Sequence, residues 1–441
     1  MEQTILRDTI FALSSGALPS GVAVIRLSGP GTRRALEKLC GGVPEKRRAA
    51  LRKIRAADRE VLDEGLVLFF AGSDSFTGED VAELQVHGGK GVVAALLKEL
   101  GALDGLRQAE AGEFTRRAFL NGKMDLTGAE ALADLISSET ETQRRFALAN
   151  AAGRQGALYQ EWRQRILHAR AMVEAELDFA DEADVGETPS AAVWADMHGV
   201  AEEIDAHLAS YHRAEIIREG FRVVIVGAPN AGKSSLLNAL AARDVAIVTD
   251  EAGTTRDLIE VSLDLGGVKV VVTDTAGLRE AAGGRVEAIG IERARRQAAS
   301  ADLLLLLTDL SDPADVGDGF GSVPIWRVGS KADLARGPTV EGFDHVISVL
   351  SGEGMGRLVG ALTALAAEAV PVTGVMPSRL RHVELLSCCR ALLEKALGGA
   401  RELELRAEDL RLAGDALGRI VGSVDVEELL GAIFSNFCIG K

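Results

Sequence analysis

The sequence predicts a multidomain chain of α/β and all-α parts: an N-terminal α/β domain, a helical domain, and a second α/β domain inserted into the helical one. Three observations carry this. Short β-type runs ("GVAVIRLS", "EGLVLFF", "VAELQVHGG") share the first 120 or so residues with a helical stretch after Gly91. Apolar residues recur at helical spacing in "LTGAEALADLISSETETQRRFALANA" and "EWRQRILHARAMVEAELDF", and again in "LRHVELLSCCRALLEKAL". Between these helical parts, strands and helices alternate from Phe221 to about Ala367, the pattern of a parallel sheet with crossover helices. The expected boundaries are 1–121 for the first domain, 122–214 and 373–441 for the two parts of the helical domain, and 215–372 for the insert. The loop "DEADVGETPS" at 181–190 interrupts the helices, and "VPVTGVMPSR" at 370–379 reads as a linker. Insertion is tolerated where the ends of the insert lie close together. Movement of the insert would then reach the helices directly.

Composition narrows the function classes. A charge of −16 over 441 residues makes a broad phosphate-tracking surface improbable. The stretch "EKRRAALRKIRAADRE" at 45–60 is a local exception with seven basic residues; the preferred reading is a solvated helix face rather than an RNA patch, because Glu45, Asp58 and Glu60 dilute it. The beginning "MEQTILRDTIFALSSG" has neither a secretory pattern nor an Arg-rich transit pattern, and the longest apolar run, "LLLLL" at 303–307, is too short to span a bilayer. Cysteines 40, 388, 389 and 438 show no C-x-x-C spacing, which argues against a zinc site and for a reducing, cytoplasmic setting.

The strongest motif is "FRVVIVGAPNAGKSSLLNAL". Gly227-x4-Gly232-Lys233-Ser234 follows an apolar strand and opens a helical pattern, as a P-loop requires. Backbone N–H groups from Gly227 to Ser235, including Asn230 and Ala231, would wrap the β-phosphate; Lys233 would neutralise the β/γ oxygens and Ser234 would offer a hydroxyl to Mg²⁺. Downstream elements choose the base. "DTAG" places Asp274 at Mg²⁺ and the Gly277 N–H at the γ-phosphate, and "AGTTRD" supplies a switch threonine, Thr254 or Thr255, for the metal. "SKAD" (Ser330, Lys331, Asp333) offers the Asp333 carboxylate to the paired donors of guanine, which adenine lacks. "ISVLSGEG" brings Ser348 and a backbone N–H near Val349 to guanine O6. An ATP-dependent P-loop enzyme would lack Asp333, and a ribosome-assembly or signalling GTPase should carry a basic RNA-binding module; none is evident.

Order and spacing of these elements resemble a Ras-type GTPase, with two departures. Ser330 stands where asparagine is usual; serine is shorter and lacks the amide, which predicts weaker nucleotide binding with the base choice preserved. Leu278 stands where Ras-type catalysis uses glutamine to orient water. Another group must neutralise charge.

"GAPNAGKSS", "AGTTRD" and "DTAGLRE" resemble the MnmE (TrmE) family of tRNA-modification GTPases. "DTIFALSSGALPSGVAVIRLSGP", "FTGEDVAELQVHGG", "GEFTRRAFLNGKMDLTGAEALADLI" and the tail "FCIGK" resemble that family's other segments in its order, so the likeness runs along essentially the whole chain. The resemblance implies that Asn230, with the backbone of the loop before "TTRD" (Thr249 within it), holds K⁺ in place of an arginine finger, and that Glu287 assists water. It implies an N-terminal domain that binds 5-formyl- or 5,10-methylene-tetrahydrofolate through Arg26, Glu83 and Lys123, with Lys441 beside them, and that dimerises. The basic residues suit the carboxylates of folate, and Glu83 suits the pterin N–H groups. The implied reaction modifies C5 of wobble uridine 34 in tRNA, together with the FAD- and NADH-using partner MnmG, which would supply most of the RNA-binding charge.

The tail "FSNFCIGK" places Cys438 three residues before Lys441. Its acidic, apolar upstream segment rules out a prenyl anchor. Ile433, Phe434 and Phe437 are expected to dock the tail, with Gly440 allowing a tight final turn. Two readings stay open: a reactive thiol beside the folate, where the resemblance puts the tail, or a docked tail with an incidental thiol.

Overall fold

The computed structural model describes residues 8–178, 191–243, 245–247, 260–274, 300–313, 323–335, 341–370, 374–398, 401–424, 427–434, 437 and 440. The elements begin with β1 (Thr9–Leu13), β2 (Ser20–Ser28), α1 (Thr32–Cys40), β3 (Ala50–Arg55), β4 (Val61–Phe70), β5 (Val81–Gly88), α2 (Lys90–Gly101) and β6 (Leu106–Gln108). Helices follow: α3 (Glu113–Leu120), α4 (Leu126–Ile136), α5 (Glu141–Ala151), α6 (Arg154–Asp178), α7 (Ala191–Leu208) and α8 (Tyr211–Glu219). Next come β7 (Phe221–Gly227), α9 (Lys233–Ala241), β8 (Glu260–Leu265), β9 (Val268–Asp274), β10 (Leu303–Asp309), β11 (Ile325–Ser330), β12 (His345–Val346) and α10 (Met355–Ala369). The chain continues through α11 (Leu380–Leu397), α12 (Leu403–Val421) and α13 (Glu427–Phe434). Contacts divide it into two units, one of Met1–Ala133, Ala151–Arg170 and Arg411–Lys441, the other of Asp134–Asn150 and Ala171–Leu410.

In the first unit, six strands pair in the order β3-β4-β5-β2-β1-β6, antiparallel except for β1 with β6. Alternation along the strands turns Ile25, Leu27, Ile54, Val67 and Leu84 to one face, where they are buried against Leu36 of α1 and Leu96 of α2. The basic stretch at 45–60 departs from its expected helical form. Residues 50–55 are the edge strand β3, with Ile54 buried and its neighbours exposed. Pairing with β4 and burial of Ile54 override the helical propensity of an Ala/Arg/Lys/Leu run. An ionic cluster ties the loop before β5 to α3: buried Arg117 reaches Glu113 and Glu79 at 3.1 Å, and Glu79 accepts the Ser28 hydroxyl at 2.6 Å.

The tail belongs to this unit. Leu430 and Phe434 bury against Leu126 and Ala129 of α4, and the Phe437 ring lies 5.4 Å from that of Phe434. Gly112 lets the tail approach, since a Cβ there would lie 2.7 Å from the Phe434 carbonyl. The Ser14 hydroxyl donates to the Gly440 carbonyl at 2.7 Å.

In the second unit, the sheet order is β12-β11-β10-β7-β9-β8. Its strands are parallel, except that β8 returns antiparallel on β9. The two-residue turn Gly266-Gly267, with φ of 67° and 89°, permits that hairpin inside an otherwise wound sheet. Val223, Ile225, Val270, Val272, Leu305 and Leu307 are among the sheet residues in a core that includes Leu236 of α9 and Leu362 of α10. The Arg218 guanidinium donates to the Ser378 carbonyl and Met376 enters the core, so the two ends of the β7–α10 stretch lie together. The Thr142 N–H donates to the Gly267 carbonyl at 3.1 Å, and Lys269 pairs with Glu139 at 2.5 Å, fastening the hairpin to the start of α5. Among the described residues, no helix is long and apolar enough to cross a membrane.

Candidate functional site

Strand β7 delivers Gly227 to the C-terminal end of the sheet, the position at which wound α/β sheets bind ligands. A Cβ at Gly227 would stand 2.4 Å from the Leu307 carbonyl, so glycine alone fits between the strands. Asn230 (φ 64°) and Gly232 (φ 92°) then turn the chain through left-handed conformations into α9. Lys233 is buried, and its ammonium crosses the loop to donate to the carbonyls of Gly227 (2.9 Å) and Ala228 (2.8 Å). The loop thus holds one cation at the N-terminus of α9, where a phosphate group is favoured. The Ser234 hydroxyl donates to Asp274 Oδ2 at 2.7 Å, and Asp274 is fully buried at the end of β9. A hydroxyl and a carboxylate beside the loop fit Mg²⁺, which takes few protein ligands and completes its shell with phosphate and water. Ser235 follows, exposed.

The base side is built from the neighbouring strands. β11 ends at Ser330, whose buried hydroxyl lies 2.7 Å from the Ala231 carbonyl and 3.1 Å from that of Thr308. Lys331 takes a left-handed conformation (φ 56°) and donates to Asp309 at 2.5 Å. Burial alone would raise the Asp309 carboxyl, but hydrogen bonds from Lys331 and Ser311 outweigh it and hold the group below its ordinary range. The Ser348 hydroxyl donates to Asp333 Oδ1 at 2.5 Å, and the Ser348 amide is itself fixed on the Glu353 carbonyl at 2.9 Å. The Ala332 amide donates to the Ile347 carbonyl at 3.1 Å, and Val349 packs partly buried on the core. The "SKAD" and "ISVLSGEG" segments are therefore one hydrogen-bonded unit. Sequence reasoning missed Asp309 and the Ala231 carbonyl. The signal for Asp309 was its place at the end of β10, two residues after the apolar run, on the edge that carries the other loops.

Thr249, Thr254, Thr255, Gly277, Leu278 and Glu287 lie outside the described residues, as do Cys438 and Lys441.

In the first unit, Arg26 of β2 and Glu83 of β5 are register partners and form a two-point ion pair at 2.9 and 3.1 Å. The Arg26 guanidinium lies 5.9 Å from the centre of the half-exposed Phe76 ring and 5.8 Å from that of Phe114. Lys123 donates to the Ser73 carbonyl at 2.5 Å, and its stem would meet a Cβ at Gly78 at 3.4 Å. The loop that carries Phe76 thus sits between Lys123 and the Arg26–Glu83 pair.

Residues 126–438 match the profile of the MnmE helical domain, and residues 9–123 match that of the GTP-binding protein TrmE N-terminus. The tRNA modification GTPase MnmE of Mesorhizobium japonicum is 60% identical over 440 residues, 98% of this chain and 99% of that protein. This chain belongs to the MnmE family. The MnmE of Chelativorans sp. (strain BNC1) is 58% identical over the whole of both chains, and that of Brucella anthropi is 56% identical over 99% of each. Family membership is carried by both units: residues 9–123 have the N-terminal fold of TrmE, and the candidate nucleotide loops lie in the second unit.

Proposed function

We propose that the chain is a K⁺-activated GTPase that acts with the FAD protein MnmG to install a carboxymethylaminomethyl or aminomethyl group at C5 of wobble uridine 34 in tRNA. The one-carbon unit comes from 5-formyl- or 5,10-methylene-tetrahydrofolate bound by the first unit. The observation that carries this reading is the base-side unit of Asp333 locked to Ser348, beside the Lys233 loop, on a chain alignable end to end with tRNA modification GTPases.

Asp333 accepts from the guanine edge, and the Ser348 hydroxyl, donating to its Oδ1, fixes the orientation of the carboxylate. Lys233 moves from loop carbonyls to phosphate oxygens when a nucleotide displaces it. Ser234 and Asp274 would hold Mg²⁺, which would supply positive charge to the phosphates. Asn230, held left-handed at the exposed lip of the loop, offers its side chain to K⁺ together with Thr249, and Thr254 or Thr255, Gly277 and Glu287 complete the γ-phosphate side. In the first unit, Arg26, Glu83 and Lys123 hold the folate, with Arg26 and Glu83, paired with each other, meeting the same end of it.

The working domains are 1–121 for folate binding and dimerisation, 122–214 with 373–441 for the helical domain, and 215–372 for the G domain. The protein works as a cytoplasmic homodimer and meets tRNA mainly through MnmG. Mass spectrometry of tRNA nucleosides from a strain lacking this chain tests the reading. Loss of the modified wobble uridine, restored by the native gene, is expected; an unchanged nucleoside profile overturns it.

A further inference from the structure

Positive charge gathers at the β3 edge of the first sheet, two strands from β5 and three from β2. A cleft of about 780 Å³ opens there, lined by Lys38 at the end of α1, Lys53 and Arg55 of β3, and Arg59 of the turn that follows, with Glu99 of α2 as the carboxylate among them. All four cations are exposed, and among the described residues none forms an ion pair. Arg55 donates to the Arg59 carbonyl at 3.1 Å, and Glu99 accepts the Ala57 amide at 3.0 Å. Arg59 is held at φ 74°, where glycine or asparagine would cost less; the turn keeps a cation there instead.

Charged residues on an edge strand commonly discourage pairing between sheets. That role needs charge along one strand. It does not account for a concave cleft whose cations come from a helix, a strand and a turn.

The geometry points to this cleft as a docking site for the phosphate backbone of an RNA, a reading that rests on the tRNA function above. Lys53 and Arg55, two residues apart on a strand, stand about 6–7 Å from each other, a ladder suited to successive phosphates. No aromatic residue lines the cleft, so the contact is with phosphate rather than with stacked bases. None of the large exposed apolar residues lines it either, which leaves a protein partner without an interface core. The rest of a chain of charge −16 repels a polyanion, and this confines the contact to one edge.

Anisotropy of fluorescently labelled tRNA with the full chain, over a salt series of about 50–200 mM, tests the site. The variant Lys53→Gln/Arg55→Gln/Arg59→Gln should bind at least about tenfold more weakly at low salt, with a slope of log affinity against log salt shallower by about two to three. Its GTP hydrolysis and melting temperature should match the native chain, and Lys53→Arg should bind as the native chain does. If the triple variant fails to fold, single variants should each reduce the slope by about one. Equal slopes, no tRNA binding by the native chain at low salt, or a loss confined to binding of an acidic protein would each overturn the proposal. A chain that binds tRNA with the expected slope but does not restore wobble modification removes the proposed function and leaves the cleft standing. Restored modification with an unaltered slope removes the cleft alone.

Discussion

The Ser330 hydroxyl and the Ala231 carbonyl stand 2.7 Å apart, although 99 positions separate them in sequence. A short side chain at the position usually given to asparagine therefore fastens the end of β11 to the phosphate loop. Ser330→Ala would leave a buried carbonyl without this donor, at a cost of about 1–3 kcal/mol. We expect GTP and GDP to bind about tenfold more weakly, measured by competition with a fluorescent nucleotide. Native affinity in the variant would show that the tether has no part in nucleotide binding.

Asp333 and Ser348 separate base choice from base affinity. Asp333→Asn replaces an acceptor with a donor, so preference should pass from GTP to xanthosine triphosphate, whose extra carbonyl needs one. Ser348→Ala removes a hydrogen bond to a charged group, worth about 1.5–3 kcal/mol, and should weaken both nucleotides by about tenfold or more with the guanine preference kept. An Asp333→Asn chain that binds GTP as the native chain does would remove Asp333 from the site.

Leu278 leaves no glutamine to orient water, and Asn230 is fixed in a left-handed turn at the exposed rim of the loop. Hydrolysis is accordingly expected to be fast in KCl and slow in NaCl. Asn230→Ala should erase that difference. Equal native rates in the two salts, measured by phosphate release, would sink the ion's role.

The loops of the candidate nucleotide site were legible because they are short and follow apolar strands, where residue type and spacing carry the signal directly. Gly227, Lys233, Asp274 and Asp333 each announce themselves this way. Ser330 was legible as a departure from its motif, but its partner was not, since a backbone carbonyl leaves no mark in sequence. β3 was misread because alanine, arginine and lysine suit an exposed helix as well as an edge strand; the deciding contact, Ile54 against the core, depends on strands far along the chain. Nothing in the sequence marks His207 and His382 for burial. Their burial side by side arises from the packing of α7 on α11.

That pair sets a pH dependence. Burial, and then the neighbouring His382, push His207 down to about 4, against a hydrogen bond with the Val375 backbone. In the unfolded chain a histidine titrates near ~6.5, so between these values the unfolded state binds more protons. The contribution is whole above about pH 6.5, is lost progressively as pH falls towards 4, and amounts to on the order of 3 kcal/mol. His207→Gln should flatten the fall in melting temperature between pH 7 and pH 5, read by differential scanning calorimetry. Parallel curves for the two chains would overturn this assignment.

The closure of Phe434 and Gly440 onto Gly112, Leu126 and Ser14 also has a consequence for biosynthesis. A ribosome releases the residues that cover Leu126 and Ala129 only after it has made all of Asp134–Leu410, so the whole second unit is synthesised while the apolar side of α4 still waits for its cover. During that interval the nascent chain presents a sticky surface beside a finished sheet. A translation product that stops short of Leu430 would keep that surface exposed to chaperones and proteases.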